Sequence, residues 1–144
     1  MFTTYAASQI FNASLGKSNS ANLASTCYLA FSTTTPSVDG TNVTEPSSAA
    51  NYERVLLGVS GQSMTQVMGT PTASISGDEV TVTNVETIKS NRASASWGTI
   101  THICIYSAKT GGSLIAFEAL TSPITVESGA SIHFNKGELT LTLK

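Results

Sequence analysis

Charge is what this sequence has least of. Only 11% of its 144 residues are Asp, Glu, Lys or Arg, against about 25% in an average soluble domain, and Ser and Thr make up the deficit. The net charge is −2 and the seven Lys and Arg never cluster. That excludes the basic footprint of a nucleic-acid binder and argues against an anionic membrane surface. No apolar run approaches the roughly 18 residues of a membrane span, and the opening Met-Phe-Thr-Thr-Tyr shows neither the basic nor the apolar region of a signal peptide. Two cysteines, Cys27 and Cys104, lie far apart in apolar strand patterns. The expectation is two buried free thiols in a chain folded in a reducing compartment. A hydroxyl-rich, charge-poor surface argues against an independent, highly soluble cytosolic enzyme and suits a surface used in assembly.

Catalytic and metal-binding patterns are absent as well. The two histidines, His102 and His133, sit in strand patterns beside Ile100, Cys104, Ile132 and Phe134, and no second Cys-His cluster of zinc spacing exists; satisfied structural histidines are expected. A Cys-His nucleophile pair needs an exposed, electropositive thiol, and Cys104 is in an apolar strand. Asp39, Asn42 and Glu45 lack the ligand ladder of a calcium loop. Most acidic residues, Asp39, Asp78, Glu127 and Glu138 among them, fall in turns. Glu118 is the exception, a carboxylate within an apolar strand, expected to pair with Lys or Arg or to face a subunit seam. Gly111-Gly112 is a turn and not a phosphate loop, because no helix follows it. Asn12-Ala-Ser14 and Asn42-Val-Thr44 match the glycosylation pattern by chance. No enzyme, cofactor or metal is expected.

The strongest pattern present runs from Trp97 to Phe117. Trp97 to Tyr106 is dense in β-branched and aromatic residues, and a period of two puts Ile100, His102, Cys104 and Tyr106 on one face and Thr101, Ile103 and Ile105 on the other. Ser-Ala-Lys-Thr-Gly-Gly supplies a turn, and Leu114 to Leu120 is apolar on both parities except at Glu118. This predicts a hairpin inside a sheet covered on both faces.

Elsewhere, Thr4 to Leu15 reads as the one helix, with Thr3 or Thr4 as N-cap and Gly16 past its end. Its stripe of Tyr5, Ile10 and Phe11 can lie on the chain's own sheet or on a neighbouring subunit. Lys17 to Ala24 is a polar connector. Thr26 to Ser32 is a strand with Cys27, Leu29 and Phe31 on one face and Tyr28 and Ala30 on the other. Residues 33–51 form a long irregular loop, functional or ordered by a neighbour. Tyr52 to Val59 is the next strand, and residues 60–71 are a polar loop or short helix. Strands follow at Thr72 to Ile75 and Glu79 to Val85 around a Ser76-Gly77-Asp78 turn, and residues 86–96 are a polar approach. Beyond the hairpin come a turn at Thr121-Ser122-Pro123, a strand at Ile124 to Val126, a turn at Glu127 to Ala130 and a strand carrying Ile132 and Phe134. A tight hairpin turn at Asn135 to Glu138 leads to a final strand in which Leu139, Leu141 and Leu143 alternate with polar residues. The whole predicts a single all-β domain over residues 1–144: an antiparallel β-sandwich, jelly-roll-like, with one short N-terminal helix.

Three stretches resemble a family of small tailed-bacteriophage virion proteins, described as tail fibre-like or minor structural proteins. The first is Tyr28-Leu-Ala-Phe-Ser-Thr-Thr-Thr-Pro36 with Asp39-Gly-Thr-Asn-Val-Thr-Glu-Pro46 and Tyr52-Glu-Arg-Val55. The second is Trp97-Gly-Thr-Ile-Thr-His-Ile-Cys-Ile-Tyr106 with Thr110-Gly-Gly112. The third is Ala119-Leu-Thr-Ser-Pro123 through Val126, Gly129, Phe134 and Gly137 to Leu143. The likeness covers nearly the whole chain and matches least over residues 60–92; Ile103-Cys104 departs from the family's pattern in a way that touches packing alone. The resemblance implies a virion structural protein that assembles symmetrically, a trimer being the expected order. Because the chain has no coiled coil, shaft repeat or second domain, a capsid decoration or cement role beside the major capsid protein is the first expectation. A tail-associated or receptor-binding module for a host glycan is the alternative. Tyr5, Ile10 and Phe11 on the helix and Pro36, Asp39, Glu45 and Tyr52 on or beside the long loop are the candidate assembly contacts.

Overall fold

A computed structural model describes residues 1–15, 26–57, 68, 72–73 and 80–143. Among these residues the chain is mostly antiparallel β-strand with one short helix. The chain begins extended and turns into the helix at Thr3. Phe2 bridges Ala116, and Thr3 N–H donates to Ile115 O at 2.9 Å. Thr3 then caps α1 (Thr4–Ser14): its Oγ1 accepts from Ala6 N–H at 3.4 Å and its carbonyl from Ala7 N–H at 3.0 Å, which satisfies donors that a helix start leaves open. The expected cap and start are thus in place; Gly16 and the polar connector lie outside the described residues.

The principal sheet runs β2 (Val55–Leu56), β1 (Tyr28–Ser32), β6 (Gly98–Tyr106), β7 (Leu114–Val126). A second sheet joins β3 (Thr72–Ala73), β4 (Val80–Thr83) and β9 (Thr140–Leu143), and a third pairs β5 (Ile88–Lys89) with β8 (His133–Phe134). The period of two in β1 works as expected. Leu29 and Phe31, with Cys27 ahead of them, enter the main apolar cluster, and Ala30 enters a smaller one with Cys104, Tyr106 and Leu114. The main cluster draws on the first sheet through Leu29, Ile103 and Ile105 and on the third through Ile88, and Val82 and Leu141 of the second pack against it. At its centre Trp97 meets Tyr52 edge-on at 5.3 Å and stacks on Phe31 at 6.5 Å, and its indole N–H donates to Ala50 O at 2.9 Å. Both cysteines are buried free thiols.

Five expectations need correction. Ile100 does not share a face with Cys104 and Tyr106: it packs in the main cluster with Ile103 and Ile105. The cause is a bulge. Ile100 pairs with Ile124 and His102 with Ala119, so four residues of β7 stand opposite one of β6, and a bulge shifts side-chain parity. Thr121-Ser122-Pro123 is therefore not a turn between two strands but the bulged part of one long strand; an outer strand tolerates a proline that has no N–H to donate. The hairpin is covered on both faces at β6 alone, since β7 is outermost in the sheet and is polar and exposed over much of its second half. The Asn135–Glu138 turn is real, with Glu138 N–H donating to Asn135 O at 3.0 Å, but it joins two sheets and makes no hairpin, because β8 pairs with β5 and β9 with β4. Lastly, the polar approach at 86–96 contains β5, too short at two residues to show a period. The Ser76-Gly77-Asp78 turn and most of 60–71 lie outside the described residues; Met68 is buried and bridges Asn84.

Candidate functional site

The long loop is held as a ladder of hydroxyl and amide bonds. Thr33 N–H donates to Thr44 O, Thr34 Oγ1 to Asn42 O at 2.7 Å, and Asn42 Nδ2 to Thr35 O at 2.7 Å. Asn42 itself sits at φ 59°, in the left-handed region that Asn tolerates. At the tip, Asp39 accepts from the Thr41 hydroxyl at 2.7 Å and its N–H at 3.0 Å, and the hydroxyl bond in particular holds the carboxyl below its usual range. Val38 O receives the Thr4 N–H at 2.9 Å, which ties the loop tip to the start of α1.

Where the loop returns toward β2, four residues interlock. Arg54 Nε lies 3.1 and 3.0 Å from the two Glu45 carboxylate oxygens, and Nη2 donates to the same group. Nη1 donates to Ala108 O at 2.9 Å and to Gly111 O at 2.6 Å. The guanidinium lies 3.5 Å over the Tyr106 ring, a cation–π contact. Tyr52 OH donates to Glu45 at 2.7 Å and accepts Phe31 N–H at 3.1 Å. The Arg54 side chain is 9% exposed and that of Glu45 22%. Burial lowers the Arg54 pKa, but the hydrogen bond and charge of Glu45 more than offset this and raise it overall. Burial, with the Glu45 carboxylate beside it, pushes the Tyr52 hydroxyl far up.

Arg54 thus grips the β6–β7 hairpin tip. Gly112 at that tip has φ 72°, and a Cβ there would lie 2.8 Å from Ala108 Cβ. Two open clefts flank the tip. One, of about 440 Å³, is bounded by Tyr5, Asp39, Tyr106 and Ser113; the other, of about 380 Å³, by Glu45, Ser48, Tyr52, Glu53 and Lys109. Glu53 and Lys109 form an exposed ion pair at 3.1 Å.

Four of the seven expected contact residues therefore gather around the hairpin tip: Tyr5 and Asp39 in one cleft, Glu45 and Tyr52 in the other. Pro36 is buried within the loop, and Ile10 is half-buried on α1. Phe11 is 65% exposed. None of these three lines either cleft. Arg54 and Tyr106 were not among the candidates; the available signal was an arginine opening an apolar strand in a chain with so few cations. His102 is half-buried with Nδ1 2.8 Å from Thr101 Oγ1, a partnered strand residue as expected, whereas His133 is exposed. Glu118 is exposed and pairs with the Met1 ammonium at 3.1 Å, not with Lys or Arg. Among the described residues no group of three His, Cys, Asp or Glu side chains could hold a metal, and no helix is long and apolar enough to cross a membrane.

The family model described as Podophage GP4 fiber I protein gp80 matches residues 1–142. The chain belongs to this family. The gp80 family is one of phage fibre proteins, so the protein is a phage structural protein, and the virion is where such a protein fits. The match takes in the helix, the loop, both clefts and all seven candidate contacts. A search of curated proteins finds no match.

Proposed function

We propose that the chain is a structural subunit of a podophage fibre, acting by assembly with copies of itself and with neighbouring tail proteins. The match of the fibre family over residues 1–142 is the observation that carries this reading, and it supports a place in the tail in preference to the capsid decoration role first expected. The chemistry of the site supports a mechanical role. Arg54 spends its N–H groups on Glu45, Ala108 O and Gly111 O, so the loop and hairpin tip are braced against each other. In this proposal the sheets form the jelly-roll-like sandwich expected from the strand spacing, with one apolar cluster between them, in a single domain. A trimer is the expected order. Immunogold labelling of intact virions tests the reading: label on the tail fibres is expected, and label confined to the head, beside the major capsid protein, would overturn it.

A second reading, recognition of a host surface glycan, is favoured by the two clefts, whose Asp39, Glu53, Lys109, Ser48 and Ser113 groups offer acceptors and donors for sugar hydroxyls. A glycan array probed with the full chain checks it, and binding to no glycan of the host surface would count against it.

A further inference from the structure

The two clefts at the hairpin tip differ in what they have left to offer. In the cleft bounded by Ser48, Glu53 and Lys109 the charged groups are spent inside the chain, Glu45 on Arg54 and Tyr52 and Glu53 on Lys109. The cleft between the loop tip and the hairpin differs. On its loop side, both bonds from Thr41 to Asp39 fall on Oδ1, so Oδ2 is an acceptor with no partner among the described residues. On its hairpin side, the Tyr106 ring is fixed under the Arg54 guanidinium at 3.5 Å, and its hydroxyl bonds to no described residue. Every fully buried side-chain oxygen or nitrogen among those residues does have a partner, so this hydroxyl opens to the cleft that Tyr106 lines. Tyr5 from α1 supplies a second aromatic side chain, and Gly111 and Gly112 bound the cleft with backbone alone.

A sugar fits this composition. The volume of about 440 Å³ is that of a small-ligand cleft, and such clefts join aromatic walls to a few placed polar groups. An ionised carboxylate oxygen only accepts hydrogen bonds, and a phenol both donates and accepts; adjacent hydroxyls on a sugar ring meet both needs. Charge narrows the class. Arg54 also lines the cleft, but Glu45 balances its charge, and its Nε, Nη1 and Nη2 all donate within the chain. Asp39 is therefore the unbalanced charge among the residues that line this cleft. A sugar carrying a carboxylate or phosphate would bring a second anion beside it and find no free cation, and like charges brought together oppose binding.

We propose that the cleft between the loop tip and the hairpin is a subsite for a neutral sugar and rejects acidic ones, with Asp39 Oδ2 accepting from ring hydroxyls and Tyr106 OH bonding a further one; this rests on the reading of the clefts as glycan-binding. The test probes the full chain on an array of matched pairs, galactosides beside galacturonides and glucosides beside glucuronides. The neutral member of a pair is expected to be retained, and the acidic member to bind about tenfold more weakly or less. Tyr106→Phe keeps the ring under Arg54 and removes only the hydroxyl, so binding should fall by up to about tenfold while the urea midpoint stays in place. Asp39→Asn removes the unbalanced charge, and the preference for neutral over acidic sugars should shrink. Acidic glycans bound as well as their neutral partners would overturn the proposal and leave the glycan reading standing. So would binding that survives Y106F and is lost in Lys109→Ala, which would move it to the other cleft. An array on which no glycan is retained would overturn the proposal and the glycan reading together.

Discussion

The Arg54 side of the molecule and the outer face of α1 solve opposite problems with the same scarce material. Around Arg54 one cation, one carboxylate and two tyrosines are packed together, and each polar group points at another part of the chain. On α1 there is no charged side chain, and Phe11 points outward. A chain that is 11% charged has thus placed one of its best ion pairs where two loops must be held and kept its helix neutral. The first region should govern stability and the second should matter little to it. The predictions below test that division.

The largest effect is expected at the shared support. Trp97→Ala removes the indole between Phe31 and Tyr52 and its bond to Ala50 O, and should cost about 3–5 kcal/mol, the range for losing a buried large aromatic, in urea denaturation. Arg54→Ala leaves Glu45 and Tyr106 facing a void; breaking a mostly buried pair costs about 3 kcal/mol or more. Arg54→Lys should recover little of it, since an ammonium cannot span Glu45, Ala108 O and Gly111 O at once.

Smaller effects sharpen the picture. Burial holds the Cys104 thiol at about 12 against 9.0 when free. Between those values the unfolded chain binds fewer protons than the folded one, so stability falls as pH rises from 9 toward 12, by up to about 1.4 kcal/mol per pH unit for this group. Burial raises Tyr52 and Tyr106 as well, which steepens the loss at the alkaline end. Denaturation from pH 8 to 11 should show this decline, and Cys104→Ala should flatten its first part. Tyr52→Phe strands Phe31 N–H and removes one donor from Glu45, for about 1–2 kcal/mol. Phe11→Ser should move the unfolding midpoint least, within about 0.5 kcal/mol as at other surface sites. A large loss there would show that the helix face belongs to the core and would erase the contrast.

What was legible in the sequence follows from how local each cause is. The alternation of Leu29 and Phe31 against Ala30 is a property of five consecutive residues, and the two clusters divide along it. The helix start is equally local, since Thr3 caps within its own turn. Ile100 defeats the same reasoning because its face depends on how β7 pairs with β6, a register set across the hairpin by residues 119–124. Asp39 and Glu45 stand out as acidic residues of the long loop, and Tyr52 as the start of the strand expected after it. Nothing local marks Arg54, because its role comes from the hairpin tip 54 to 57 positions later in the chain. Glu118 shows the limit from the other side: its position in an apolar run implied burial, but an outermost strand leaves it in solvent.

The bulge that carries Pro123 has a consequence for what can be added to the sheet. Beyond Phe117, where Met1 stops pairing, β7 is an open edge among the described residues, and an open edge invites another strand to add itself without end. A proline there withholds a donor, and four residues looped against one spoil the flat register that strand addition needs. Growth along the sheet is thereby capped at this edge.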